Sequence, residues 1–584
     1  MAHFWNDPGV TSHRPWFDHY ASGIPRTLEP YPEMSVFSML ESSARRFPNR
    51  PSMAWFRRHM SYAFLLREVE RFSSVLAGIG VRKGDRVGLI LPNSPQYVIA
   101  YYATARLGGV VVGNNPLYTK REMEHQLRDS GCEVVVLHDM FYPNFADVLP
   151  RAGVREIVVT KITDYMALPL RLAAPVKFRR EAKHEGKPWP YVPPGSPVRW
   201  WKELMATAGP APPVAIVDPR SDPAGFIYTG GTTGVSKGAM LSHFNMVANA
   251  MQVRAWFGVG MVDGEDAMMC ALPFFHSYGM TTQLNFAVLA AAKLVLEPQF
   301  NVRTVLKDIA REKPSLFPGV PRLYQRLNDA PETAKYDLRA IRVCASGAAP
   351  LPQAVAAKFH EITGGAQVVE GYGLTETSPV THANPIGGEV RPGTIGLPVP
   401  DTECKIVALE DPDREAGPGE PGELCIRGPQ VMLGYWNRPE ETALMIRNGW
   451  LHTGDVAVMD PDGYFRIVDR IKEMIIVSGF NVYPTEVEEV LFRHPKIQKV
   501  CVAGLPDEQT GEAVKAYVVL RSGETATAEE IVAWSRDPAQ GLAGYRVPKQ
   551  IEFRDSLPET MIGKVLRRVL QEEERQKAAG KTPS

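Results

Sequence analysis

Residues 86–137 decide the fold class, and they read RVGLILPNSPQYVIAYYATARLGGVVVGNNPLYTKREMEHQLRDSGCEVVVL. Apolar runs at 86–91, 110–112 and 133–137 have the length of buried strands. The two intervening stretches, 94–107 and 120–129, have the length and spacing of helices, and Gly108-Gly109 ends the first of them. Strands that alternate with helices in this way form parallel sheets covered by helices. We therefore predict an α/β fold.

The pattern extends to both sides of this stretch. A helix with one apolar face is predicted at 37–47, ended by Pro48, and the alternation of strands and helices returns from 224 to 367. Beyond Val399, short strand-like segments and turn signals such as 417–422 (GPGEPG) indicate a β-rich subdomain. From about Lys472 an α+β unit is predicted, with helices and strands at 485–492, 499–504, 514–520 and 528–535 and a polar tail at 571–580 that we expect to fray.

These patterns divide the chain into two domains. A large N-terminal domain, 1–470, would contain the helix-covered sheets and the β-rich subdomain. A small α+β domain, 471–584, would follow it.

Composition excludes several classes of protein. The 584 residues are 44% hydrophobic, and 65 basic residues balance 65 acidic ones, so no overall charge favours nucleic acid as a partner. Six cysteines without a CxxC pair argue against a zinc ribbon or a disulfide framework. The N-terminus lacks the features of a signal peptide, and no apolar run is long enough to cross a bilayer. We expect a protein of the cytoplasm.

The stretch 161–201 is the least clear part of the sequence. From 161 to 187 it carries seven Lys or Arg and three Asp or Glu, interleaved with apolar residues, and Trp200-Trp201 follows a proline-rich segment. One interpretation is peripheral contact with the anionic inner face of a membrane. The other is a solvated connection packed on the sheet. Pro169 and Pro175 are expected to interrupt any long amphipathic helix here.

The densest motif is YTGGTTGVSKG at 228–238. Its glycines permit close approach of the backbone, and its threonines, amides and lysine offer donors to a polyphosphate. It is not a Walker A loop, because Ser236 precedes Lys237 and Gly238 follows it. A simple glycine-threonine turn is the alternative.

Further motifs offer complementary groups. In EGYGLTET (370–377), on a glycine-rich turn after a strand at 367–369, the tyrosine could stack on a base and the second glutamate could hold Mg²⁺. In NGWLHTGD (448–455) and DRIKEMIIVSG (469–479), Asp455 could accept ribose hydroxyls and Arg470 could add a bond. Lys564 follows a glycine near the C-terminus. Each has an ordinary alternative in a turn or a solvated surface charge.

Together, and in this order, these motifs resemble those of the adenylate-forming superfamily of acyl-CoA synthetases, luciferase-like enzymes and peptide-synthetase adenylation domains. The segments YTGGTTGVSKGAMLSH, ALPFFHSYGM, VVEGYGLTETSP, GWLHTGDVAVMDPDGYFRIVDR and VSGFNVYPTEVEEVL closely resemble bacterial long-chain fatty acid–CoA ligases. The resemblance covers nearly the whole chain and is weakest at 161–213. Gly230 stands where many superfamily members have serine, and Ile471 stands where the fatty acid ligases more often have lysine.

The resemblance implies a reaction and its cofactors. A fatty acid of medium to long chain would react with ATP to give acyl-AMP and pyrophosphate, and the acyl group would pass to coenzyme A. Glu376 would bind Mg²⁺. The nucleotide would be held by Thr229, Gly231, Thr232, Thr233, Gly234, Lys237, Gly347, Ala348, Ala349, Tyr372, Gly373, Thr375, Asp455 and Arg470.

The resemblance also implies a mobile C-terminal domain. Lys564 would bridge the carboxylate and the α-phosphate in the first step, and the domain would then swivel about Lys472. After the swivel, Ser478, Gly479 and Phe480 would approach the pantetheine of coenzyme A. His276 resembles the histidine at the junction of acyl group and coenzyme A, and its alternative is a core or cap histidine.

Two other functions stay open at this point. One is an acyl-AMP ligase that loads a carrier-protein thiol, and the other is an inactive lipid-binding homologue. The sequence also leaves open whether two copies form a homodimer.

Overall fold

The fold was taken from a computed structural model of the chain. The structure describes residues 14–184, 186, 189, 191–229, 236–507, 509–537, 542, 544–559 and 565–578.

The strands in these residues are, in chain order, β1 (Pro51–Trp55), β2 (Arg58–Ser61), β3 (Arg86–Ile90), β4 (Val110–Gly113), β5 (Val134–His138), β6 (Glu156–Thr160), β7 (Arg199–Trp200), β8 (Pro223–Tyr228), β9 (Gly238–Ser242), β10 (Ala267–Cys270), β11 (Lys293–Leu296), β12 (Val343–Ser346), β13 (Gln367–Gly373), β14 (Val380–Ala383), β15 (Leu397–Pro398), β16 (Glu403–Ala408), β17 (Gly422–Arg427), β18 (Gly434–Tyr435), β19 (Ile446–Arg447), β20 (Trp450–Met459), β21 (Phe465–Arg470), β22 (Ile475–Val477), β23 (Phe480–Val482), β24 (Ile497–Asp507), β25 (Gly511–Leu520) and β26 (Gln550–Phe553).

The α-helices are α1 (Val36–Arg46), α2 (Tyr62–Gly78), α3 (Pro95–Arg106), α4 (Lys120–Ser130), α5 (Tyr142–Phe145), α6 (Val148–Arg151), α7 (Leu168–His184), α8 (Trp201–Ala206), α9 (His243–Phe257), α10 (Ser277–Gly279), α11 (Phe286–Leu289), α12 (Val302–Glu312), α13 (Pro321–Asp329), α14 (Gln353–Thr363), α15 (Pro439–Met445), α16 (Pro484–Phe492), α17 (Ala528–Arg536) and α18 (Arg567–Ala578).

The stretch that predicted the fold class forms the centre of the largest sheet. The strand order is β18-β9-β8-β4-β3-β5-β6-β7, and the pairs from β8 to β7 along it are parallel. Along β5, Val134 and Val136 pack into one core while Val135 and Leu137 pack into another. The alternation arises because successive side chains of a strand point to opposite faces, and both faces of this sheet are covered.

Local signals fix the helices that cover this sheet. Ser94 caps α3 by accepting the amide of Tyr97, and Pro95 occupies the first helical position. Thr119 and Glu122 form a capping box at the start of α4, and Gly131 ends that helix in the left-handed conformation. The predicted boundaries of these helices are therefore confirmed to within a residue.

A second helix-covered sheet joins two groups of strands. The orders are β10-β11-β1-β2 and β12-β13-β14-β15, and Leu316 pairs with both Met268 of β10 and Val343 of β12. β13 continues through Gly371, Tyr372 and Gly373 and pairs with β14 there. The sequence placed these residues on a turn, which was wrong, because antiparallel pairing with β14 extends the strand.

The predicted β-rich subdomain is a separate antiparallel sheet, β16-β17-β20-β19, with β21 paired to β20. The small C-terminal domain has its own sheet, β23-β22-β25-β24 with β26, and its own apolar core around Val487, Val502 and Val518. The polypeptide therefore has the predicted α/β architecture, with a large N-terminal domain and a small C-terminal one.

Two further sequence expectations were wrong. α7 runs unbroken from Leu168 to His184 with Pro175 inside it. Pro169 lies in the first turn, where its missing N–H costs no helical hydrogen bond, and Pro175 removes a single backbone hydrogen bond from a long helix. The polar tail does not fray before Ala578, because Leu570 of α18 is fully buried and Glu574 pairs with Lys515 at 2.9 Å.

Among the described residues, no helix is both long and apolar enough to cross a bilayer. The six cysteines all lie in this part of the chain, and they are buried free thiols.

Candidate active site

A cavity of about 890 Å³ lies where the two helix-covered sheets, the β-rich subdomain and the start of the C-terminal domain meet. Residues that are far apart in sequence line it together. Of the residues that the sequence singled out, its walls contain Thr229, Lys237, His276, Gly347, Ala348, Tyr372, Gly373, Thr375, Glu376, Asp455, Arg470 and Lys472.

Other predicted residues lie elsewhere. Ala349 and the segment 478–480 are described but do not line the cavity. Gly231, Thr232, Thr233, Gly234 and Lys564 lie outside the described residues.

Asp455 is at the centre of one end of the cavity. The Tyr372 hydroxyl donates to its Oδ2 at 2.5 Å, and Arg470 Nε lies 3.1 Å from its Oδ1. Burial and the nearby Asp455 charge raise the pKa of Tyr372 far above its ordinary value, so the phenol stays a donor. A buried carboxylate with a cation on one side can accept paired hydroxyl groups, such as those of a ribose.

A bend in β20 presents Asp455 to the cavity. The pairing of β17 with β20 shifts between Glu423 and Cys425, and Gly454 at the bend has a φ of 71°. Glu423 holds the bend: its Oε1 accepts the amide of Gly454 at 3.1 Å, and its Oε2 lies 2.8 Å from His452 Nδ1. The sequence analysis missed Glu423 because nothing in the local pattern places it against residues about thirty positions later.

The 228–238 motif connects β8 and β9. Its two ends are held together by bonds from Thr229 N to Lys237 O at 2.9 Å and from Ser236 Oγ to Thr229 O at 2.6 Å. A Cβ at Gly238 would lie 3.1 Å from the ring of Tyr228, so glycine permits this close pairing. The loop thus starts and ends at the wall of the cavity.

Charged and hydroxyl groups surround the end of this loop. Tyr435 of β18 donates its hydroxyl to Glu376 Oε1 at 2.5 Å, and the Lys237 ammonium lies 5.1 Å from the centre of the Tyr435 ring. Lys237 is also ion-paired with Glu441 of α15. The sequence analysis missed Tyr435 and Glu441, because no spacing rule relates them to Lys237, which lies far earlier in the sequence.

The other end of the cavity is less polar. Phe257, Thr282 and Ala345 line both the cavity and a small apolar void behind it. The helical segment 277–289 contains a π-helical stretch, Met280–Asn285, that includes Thr282, and such irregular turns occur often at functional sites. This end suits an apolar ligand.

His276 also lines the cavity. Its Nδ1 accepts the amide of Tyr278 at 3.2 Å and so caps α10, while the ring lines the cavity. Burial lowers the pKa of His276, so the ring is neutral and Nε2 carries the proton. The cap interpretation is therefore confirmed, and the role of His276 at the junction of acyl group and coenzyme A stays a prediction.

The C-terminal domain contacts the N-terminal domain near this cavity. Arg322 of α13 pairs with Glu559 at 2.8 Å, and the amide of Thr485 donates to Asp469 Oδ2 at 2.7 Å. The ring of Phe480 lies on Tyr545 of its own domain, 5.0 Å between centres. In this arrangement Lys472, and not the segment 478–480, faces the cavity.

Known proteins resemble both parts of the chain. The family described as "AMP-binding enzyme" matches residues 40–436, and "AMP-binding enzyme C-terminal domain" matches 486–564. The Long-chain-fatty-acid–CoA ligase of Bacillus subtilis (strain 168) is 42% identical over 97% of this chain and 99% of its own length.

Solved structures superpose on nearly the whole chain. ATP-bound MatB from Rhodopseudomonas palustris superposes with a TM-score of 0.79 at 28% identity, covering 93% of this chain and 100% of that one. Apo MatB gives 0.69 at 29% identity, with the same coverage.

Proposed function

The chain belongs to the family of AMP-binding enzymes, among the long-chain fatty acid–CoA ligases, and from this premise we propose how its residues divide the reaction. The protein uses ATP to convert a fatty acid into acyl-AMP and transfers the acyl group to coenzyme A. The observation that carries the proposed roles is the meeting of Lys237, Glu376, Tyr372, Asp455 and His276 around one cavity.

The first step needs charge neutralisation rather than a base. A fatty carboxylate is already ionised at neutral pH, because carboxyl groups have pKa values of about 4. Bringing it to the α-phosphate of ATP sets two anions against each other, so positioned cations and donors lower the barrier. The ends of the 228–238 motif lie at the wall, and we assign the β- and γ-phosphates to Thr229, Thr232, Thr233 and Lys237.

The nucleoside would lie at the Asp455 end. Asp455 would accept the ribose hydroxyls, with Arg470 beside it, and the Tyr372 ring would stack on the base next to Gly347 and Ala348. Thr375, in the 3₁₀ turn Thr375–Thr377 that also carries Glu376, would contact the α-phosphate.

Glu376 is the proposed ligand for Mg²⁺. A carboxylate on the cavity wall is the hard oxygen ligand that this ion prefers, and the Tyr435 hydroxyl fixes its orientation. When bound, the ion would neutralise phosphate charge.

Lys564 is the proposed catalytic cation of the first step, bridging the carboxylate and the α-phosphate. Its domain would then turn about Lys472, which lies in the short 3₁₀ segment Ile471–Glu473 between the last strand of the β-rich subdomain and the first of the C-terminal sheet. The TM-score is higher with ATP-bound MatB, at 0.79, than with apo MatB, at 0.69. This difference supports a C-terminal domain placed as the first step requires.

After the turn, Ser478, Gly479 and Phe480 would reach the pantetheine arm of coenzyme A. His276, neutral and with a proton on Nε2, would lie at the junction of acyl group and thiol. The half-exposed Phe480 is free to change its contact with Tyr545, because a stacked pair at the surface is a weak restraint.

The acid is proposed to be a fatty acid of medium to long chain. The apolar end formed by Phe257, Thr282 and Ala345 supports an alkyl chain there. The test is coenzyme A consumption with a panel of acids from short to long chains, plus aromatic acids. Turnover should rise with chain length, and preference for short or aromatic acids would contradict the proposal. A carrier-protein thiol, offered in place of coenzyme A, should be a poor acceptor.

Helix α7 is proposed to touch the membrane surface from which such acids come. Leu168, Leu172 and Val176 are more than half exposed, and Arg179 and Arg180 follow on the same helix. Exposed apolar groups beside basic ones bind anionic bilayers peripherally. α7 is continuous through Pro175, so these apolar and basic groups lie on one helix.

A further inference from the structure

Glu441 forms an ion pair with Lys237, and the proposed function assigns Lys237 to the binding of the triphosphate. The Glu441 carboxylate is ion-paired with Lys237, and both side chains line the cavity. Its other oxygen, Oε1, lies 3.6 Å from Nε of Arg438. A negative group therefore occupies the position beside Lys237 at which a phosphate oxygen would be expected.

The segment that carries Glu441 is fixed to the large sheet. Arg438 also pairs with Asp129 of α4 at 3.0 Å. The Tyr228 hydroxyl, at the start of the phosphate loop, donates to the second oxygen of Asp129 at 2.7 Å. The start of α15 and the start of the loop thus share one anchor, which keeps Glu441 at a set distance from the loop.

The charges around Lys237 have a consequence for ligand binding. A phosphate oxygen that approaches Lys237 competes with Glu441 for the ammonium, and Glu441 faces the phosphates as a like charge. When pyrophosphate dissociates, the ion pair can form again. The Lys237 and Glu441 side chains are 33% and 36% exposed, so solvent screens the pair and the competition is moderate rather than prohibitive.

We propose that Glu441 competes with the phosphates for Lys237, which weakens the binding of ATP and pyrophosphate and promotes the release of pyrophosphate. The inference rests on the proposed role of Lys237 in the phosphate loop. It adds a residue that determines affinity without touching the reacting atoms.

The test is the affinity of inorganic pyrophosphate with Mg²⁺, measured by calorimetry on the full-length protein. Glu441→Gln keeps the size of the side chain and removes its charge, and we expect pyrophosphate to bind about threefold to fivefold more tightly. Glu440→Gln is the matched control, because Glu440 is exposed on the same turn of α15 and the substitution removes the same charge. Its affinity should stay within about twofold of wild type.

A double substitution separates competition for Lys237 from general repulsion. In the Lys237→Met background, Glu441→Gln should no longer tighten pyrophosphate binding. A gain of the same size in that background would overturn the inference, since the effect would then not act through Lys237. Equal affinities for Glu441→Gln and Glu440→Gln would overturn it as well.

The two levels of proposal can fail separately. If wild-type protein neither binds pyrophosphate nor incorporates it into ATP, the proposed function fails and this inference with it. If wild-type protein does both and Glu441→Gln behaves like its control, only the inference fails.

Discussion

Replacing Asp455 with asparagine removes one negative charge from the nucleoside end of the cavity and keeps the shape of the side chain. The carboxylate now meets the Tyr372 hydroxyl at 2.5 Å and Arg470 Nε at 3.1 Å. An asparagine has one acceptor oxygen and one NH2 group, so its NH2 would face either the Tyr372 hydroxyl or the Arg470 guanidinium, which now donate to the carboxylate.

The expected loss follows from the bonds that the charge supports. Hydrogen bonds to a charged group contribute about 1.5–3 kcal/mol, against about 0.5–1.5 kcal/mol for neutral pairs. Two ribose hydroxyls that bond a neutral amide instead of a carboxylate should therefore lose about 2–3 kcal/mol in total. Each 1.4 kcal/mol is a factor of ten, so kcat/KM for ATP should fall roughly 30- to 140-fold.

The assay is acyl-CoA formation over a range of ATP concentrations, with fatty acid and coenzyme A saturating. The control is Asp413→Asn, a substitution of the same kind on an exposed turn of the β-rich subdomain, and it should leave kcat/KM unchanged. Melting temperatures of both variants report on folding. A loss below about threefold in a folded Asp455→Asn protein would refute the assignment of the ribose to this carboxylate.

Three further predictions concern the C-terminal domain and the surface. Lys564→Ala should lose roughly 10²-fold or more in acyl-AMP formation, as on removal of one transition-state donor, and much less in transfer from supplied acyl-AMP; equal losses would argue against its role. Lys472→Pro, which fixes φ, should spare acyl-AMP formation and impair thioester formation, and unchanged overall turnover would count against a swivel there. In co-sedimentation with vesicles of anionic lipid, Leu168→Ser/Leu172→Ser should bind less than wild type, while Ile216→Ser, at an exposed position outside α7, should bind like wild type; equal binding of all three would contradict the proposed contact.

Local signals account for the parts of the fold that the sequence predicted well. The strands of the large sheet are uniform apolar runs, and capping residues such as Ser94 and Thr119 mark the helices between them. The failures were at positions where a tertiary contact outweighed the local preference. Gly371–Gly373 is extended because β14 pairs with it, and α18 continues into the polar tail because its own Leu570 is fully buried.

The sequence motifs predicted many residues of the candidate site but not the residues that contact them. Tyr372, Asp455 and Arg470 meet, as their types suggested, at one end of a cavity. No local sequence pattern identifies Glu423 or Glu441. Glu423 contacts the bend at Gly454, and Glu441 contacts Lys237 at the end of the 228–238 motif, and both partners lie far away in the sequence. Such contacts depend on how the sheets meet, which spacing along the sequence does not encode.

The most direct measurement is the exchange of labelled pyrophosphate into ATP by purified protein that has a fatty acid and Mg²⁺ but no coenzyme A. Reversible formation of acyl-AMP in the cavity predicts label in ATP that depends on the added acid. Absence of label across short-chain, long-chain and aromatic acids would contradict the claim that these residues activate a carboxylate.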